Sequence, residues 1–136
     1  MKHASGIAML ALVVALPWHS AAFAKDLSQK TGKELYQRLC SGCHGERGEG
    51  DGIIGTYFKM QPPNLTQLAQ RNGGQFPADQ VRKTVDGRDN PGAHGSRQMP
   101  IWGVALYDTD ARDPRQEQQV NEMIDRLVEY VRTIQK

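Results

Sequence analysis

Cysteine is scarce: the 136 residues hold two, Cys40 and Cys43. That excludes a multi-bridge disulfide scaffold and leaves a single bridge, part of a metal site or a covalent attachment point. An excess of one charge sign is missing as well. Seventeen Lys and Arg stand against fifteen Asp and Glu, a formal +2 with both signs spread along the chain, so no polyanion-binding face is announced and nucleic acid is not an expected partner. Apolar runs are short, the longest being ten residues, 7–16, about half of the ~20 needed to span a bilayer. No stretch alternates with period two and no internal repeat is visible, which argues against sheets and solenoids. With 38% hydrophobic and 24% charged residues, the composition is that of an ordinary folded domain, and the length suits one domain.

What is present begins with an address. In residues 1–24, Lys2 supplies a positive start, residues 7–16 the apolar stretch, and Ala22-Phe23-Ala24 a small-x-small cleavage site. This pattern reads as a secretory signal peptide, cleaved after Ala24. The expected mature domain then covers residues 25–136, lies in the bacterial periplasm, has no stable membrane insertion, and keeps two histidines, His44 and His94. A free, reduced cysteine pair with no covalent partner is not expected in such an oxidising compartment.

Helical periodicity dominates the remainder. Thr31-Gly-Lys-Glu34 has the form of a capping box, after which Leu35, Tyr36 and Leu39 share one face of a short helix ending at the cysteines. Gly32 lies on that face too, where a glycine costs about 1 kcal/mol relative to Ala unless another helix must come close. At the far end, Asp113-Pro114 reads as a cap and first-turn proline. From there Val120, Met123, Ile124, Leu127, Val128, Val131 and Ile134 recur at three and four residues, a strong amphipathic helix. Between the two, residues 77–85 predict a third helix stopped by Gly87, and residues 65–70 a turn or two. The fold class expected is all-α, small and loop-rich.

The chemistry concentrates in Cys40-Ser41-Gly42-Cys43-His44. C-x-x-C-H is the attachment pattern of c-type haem, in which two thiols add to the haem vinyl groups and the adjacent imidazole ligates iron. A thioredoxin-type redox pair needs a βαβ setting, which the sequence lacks. Zinc held by Cys40, Cys43, His44 and His94 has the right ligand count, but a ligand next to the second cysteine strains the chelate. For the other axial position the chain offers Met60, Met99, Met123 and His94. Met123 sits on the terminal helix's apolar stripe, where packing explains it, and Met60 precedes Gln-Pro-Pro and reads as a packing residue. Met99, in Met99-Pro100, has no stripe to explain it and is the preferred ligand, with His94 as the alternative.

Taken together, Gly32-Lys-Glu-Leu-Tyr36, Cys40-Ser-Gly-Cys-His44-Gly45, Gly48-Glu-Gly-Asp-Gly52, Pro62-Pro-Asn-Leu-Thr66 and Met99-Pro100 resemble a class I, monohaem cytochrome c. The resemblance runs in order from about residue 28 to the terminal helix. It implies first and last helices crossing around one haem c, with iron between His44 and Met99. It also implies a proline carbonyl bonded to the proximal imidazole, from Pro63 rather than Pro62, which would fix the ring's tautomer. Trp102 is implied as a haem-propionate donor through its indole N–H, with packing as the alternative. The charged stretch 107–116 departs from the pattern and reads as a solvated loop. The expected function is one-electron transfer by a monomer that docks transiently on redox protein partners, without enzymatic activity. The alternatives are a haem-bearing subunit of a periplasmic dehydrogenase or oxidase complex, and a peroxidase-like haem protein.

Overall fold

The computed structural model describes residues 27–89, 99–107 and 113–136. The signal-peptide segment and His94 therefore lie outside the described residues. Among those described there is helix and loop but no strand. The helices are α1 (Gly32–Leu39), α2 (Ser41–His44), α3 (Leu68–Arg71), α4 (Ala78–Asp86), α5 (Trp102–Ala105) and α6 (Pro114–Thr133). Two 3₁₀ turns, Ile53–Tyr57 and Leu65–Gln67, complete the set.

The start of α1 follows from its first four residues. Glu34 N–H donates to Thr31 Oγ1 at 3.3 Å, and Thr31 N–H donates back to Glu34 Oε2 at 2.9 Å. These reciprocal bonds satisfy two amide donors that a helix start leaves without intrahelical partners. In α6, Asp113 Oδ1 accepts from Arg115 N–H at 2.8 Å ahead of Pro114. Residues 114–116 of the charged stretch are therefore helical. In α4, Gly87 ends the helix at φ +70°, a left-handed conformation that glycine adopts without a Cβ penalty.

The core forms where α1 and α6 cross. Leu35 and Tyr36 from α1 meet Val120, Met123, Ile124, Leu127, Val128 and Val131 from α6, all buried. Their positions are the periodic ones, so the stripe and the packed face are the same residues. A Cβ on Gly32 would lie 2.1 Å from Arg126 O and 3.0 Å from Tyr130 Cβ, which makes glycine a condition of the crossing. One turn later the rings of Tyr36 and Tyr130 stack at 5.1 Å between centroids and 47° between planes, within the favourable range for tilted aromatic pairs. Ile134, last of the stripe, lies just past the helix as its C-cap and turns its Cδ1 towards Gly48. The chain end so touches the loop behind the cysteines.

Candidate functional site

Cys40 ends α1 and begins α2, donating its N–H to Tyr36 O at 2.9 Å. His44 N–H then donates to Cys40 O at 2.9 Å and Gly45 N–H to Ser41 O at 2.8 Å, so the pentapeptide is one helical turn. In such a turn, residues three and four apart share a face. Cys40, Cys43 and His44 are thereby presented to the same side. Cys40 and His44 are buried and Cys43 is half-buried, and no disulfide joins the two cysteines. Burial, with a smaller contribution from Cys43, pushes the Cys40 thiol up to about 12.

Behind the turn, Tyr36 Oη donates to Gly45 O at 2.6 Å in a buried bond. Burial holds that phenol well above the ordinary tyrosine range, so it remains a donor. Gly50 N–H returns to His44 O at 2.8 Å and folds the glycine-rich loop against the turn.

The His44 ring is set by its neighbour across the loop. Nδ1 lies 3.2 Å from Pro63 O, and a carbonyl oxygen can only accept, so Nδ1 carries the proton in this bond. The Nε2 lone pair is then the one aimed at a ligand position, and the bond raises its basicity. The segment that follows Pro63 is itself held from several sides. Asn64 Oδ1 accepts from Thr66 N–H at 2.9 Å, Leu65 N–H donates to Gly48 O at 2.7 Å, and Gln135 Nε2 donates to Leu65 O at 2.8 Å. Gln135 and Gly48 thus fix the segment whose carbonyl orients the imidazole. Neither role was visible in the sequence, because both act through backbone groups and one spans 70 residues.

Cys40, Cys43, His44 and Pro63 are brought together. Met99 and Trp102 belong to a separate segment, residues 99–107, and both are half-buried against the hydrophobic core. Met123 is buried within α6's packed face, whereas Met60 is exposed.

A comparison with protein families now has geometry to meet. The cytochrome c family model matches residues 29–135. The chain belongs to the cytochrome c family. No curated protein and no solved structure matches it. As a cytochrome c it carries one covalently bound haem c with its iron, and the family's work is haem-based electron transfer. The donor set suits that group: two thiols and an imidazole on one face of a turn, the imidazole's other nitrogen bonded to a carbonyl. Among the described residues no helix is long and apolar enough to cross a membrane.

Proposed function

We propose that this cytochrome c is an exported, monomeric one-electron carrier that shuttles between periplasmic redox proteins, its leader removed after Ala24. The observation that carries the reading is the attachment turn with the His44 ring fixed by Pro63 O. Cys40 and Cys43 would hold the haem as thioethers, and His44, through Nε2, and Met99 would hold its iron. When bound, the haem supplies a one-electron ferric/ferrous couple. The chain's contribution is to hold both ligands, exclude water from one side of the site and present an edge to partners. Trp102 is assigned to a propionate through its indole N–H.

The docking surface adjoins the attachment turn. Ile53, Ile54, Tyr57 and Met60 stand exposed, Tyr57 at 83%. Ile54 Cδ1 comes within 2.8 Å of where a Gly42 Cβ would be, which places this apolar surface beside the cysteines. A carrier must release its partner, and a small apolar contact with a polar rim, below ~1,200 Å², suits that. Bulk charge gives little steering, since loss of Lys2 with the leader takes the formal +2 to +1.

Stopped-flow reduction of the purified holoprotein by a periplasmic donor protein tests this. Rates are expected to fall less than about tenfold between low and physiological ionic strength, because screening removes rim attraction while apolar contact persists. A drop of about a hundredfold or more means that a strongly charged face controls encounter, and contradicts the reading.

A further inference from the structure

Away from the attachment turn, one guanidinium joins three parts of the fold. Arg88 follows the end of α4 and grips Asp86 with a fork, Nε to Oδ1 at 2.6 Å and Nη2 to Oδ2 at 2.9 Å. Its Nη1 donates to Glu117 Oε1 at 2.6 Å and to Tyr107 Oη at 3.3 Å, and Nη2 donates to Asn121 Oδ1 at 3.0 Å. The Tyr107 hydroxyl in turn donates to Glu117. With only 18% of the Arg88 side chain exposed, these charge-assisted bonds are better shielded from solvent than ordinary surface pairs.

The cluster bears directly on residues 99–107. A Cβ on Gly103 would fall 2.1 Å from Asp86 Oδ1 and 2.5 Å from Arg88 Nε, so the backbone of α5 rests on the Asp86–Arg88 fork. Leu106 is buried and Tyr107 is bonded to both Arg88 and Glu117. Only four residue steps separate Gly103 from Met99, a reach of at most ~14 Å. Pro100 fixes one φ along that path, and Met99 and Trp102 both pack on the core. Little slack remains between the fork and Met99.

From this juxtaposition we infer that Arg88 is a positioning residue for the second axial ligand: its bonds to Asp86, Tyr107 and Glu117 hold residues 99–107 so that Met99 stays on iron. The inference rests on Met99 being that ligand. Arg82 supplies an internal comparison, because it bonds Asp125 at 2.8 Å and Asn121 at 3.2 Å and reaches Asp86 at 3.6 Å. The contacts with Asp125 and Asn121 tie α4 to α6, the one with Asp86 lies within α4, and none of them is to residues 99–107.

An external ligand must displace Met99 to bind, so its apparent affinity scales with the fraction of protein in which Met99 has left iron. Imidazole is therefore titrated into the ferric holoproteins while the weak sulfur-to-iron band in the near infrared is followed. Arg88→Ala is expected to bind imidazole about tenfold or more tightly than wild type, and Arg82→Ala within about twofold of it. Arg88→Lys, which keeps charge but not the fork, is expected to fall between. Should Arg88→Ala fail to fold, Tyr107→Phe keeps the ring and removes the hydroxyl, and it is expected to tighten imidazole binding about threefold. The inference is overturned if Arg88→Ala, or in its absence Tyr107→Phe, matches wild type, or if Arg82→Ala shifts as far as Arg88→Ala. A ferric wild type without the band overturns the Met99 assignment and this inference with it, whereas a wild type with the band and an Arg88→Ala variant of unchanged imidazole affinity overturn the inference alone.

Discussion

Replacing Met99 by Ala is expected to abolish the near-infrared sulfur-to-iron band of the ferric protein and to lower the reduction potential by roughly 0.1 V or more. Axial ligands command a span of about 0.8 V across haem proteins, and a Met/His pair lies on the high side because thioether sulfur favours ferrous iron. Met99 is assigned because Met99-Pro100 lies on no helical stripe, in the short segment that also holds Trp102. Met123 is committed to α6's packed face and Met60 is exposed. His94→Ala should leave the band in place. Loss of the native spectrum in His94→Ala, with Met99→Ala unaffected, reverses the assignment. Spectroelectrochemical titration of the three proteins reads both quantities at once.

The second large effect is a change of sign. Gly to Ala in a helix ordinarily gains up to about 1 kcal/mol. Gly32→Ala should instead destabilise the protein by about 2 kcal/mol or more, because the new methyl would stand 2.1 Å from Arg126 O and 2.9 Å from its carbonyl carbon. Both neighbours are helix backbone, which cannot rotate aside, so α1 and α6 must move apart. Separation loosens the contacts of Leu35 and Tyr36 with α6 and strains the tilted Tyr36–Tyr130 pair. A fall in melting temperature of roughly 8 °C or more is expected. Thermal unfolding followed by far-ultraviolet circular dichroism checks it, and an unchanged or raised melting temperature contradicts the crossing as described.

Parts of the fold were legible wherever local chemistry and tertiary packing ask for the same residues. The Thr31–Glu34 capping box, the stop at Gly87, the cap at Asp113 and the stripe from Val120 to Val131 each appear where the sequence pattern places them. Gly32 was readable because a glycine on an apolar helix face needs a reason, and the reason is Arg126 O. Of the candidate site, the shared turn of Cys40, Cys43 and His44 was legible, since their spacing is what one helical turn presents.

What escaped has a different physical basis. The turn Ile53–Tyr57 and the helix Trp102–Ala105 are too short to carry a period. Arg88 gathers partners 19, 29 and 33 residues away, and such pairing follows from the packing of elements rather than from any window of sequence. Gln135 reaches the Pro63 segment through a backbone carbonyl, which leaves no mark on residue type. The charged stretch resolves into two pieces at its ends: Tyr107 bonded to Glu117, and Asp113 capping α6.

The central claim is covalent haem on the turn formed by Cys40, Cys43 and His44, and the most direct test is a denaturing gel of the protein stained for haem peroxidase activity. Protein made with haem-attachment machinery present should stain at the mature mass, and replacing both cysteines by Ala should abolish the stain while the polypeptide band remains. Absence of stain in the wild-type protein under those conditions, or stain that survives loss of both cysteines, contradicts the account.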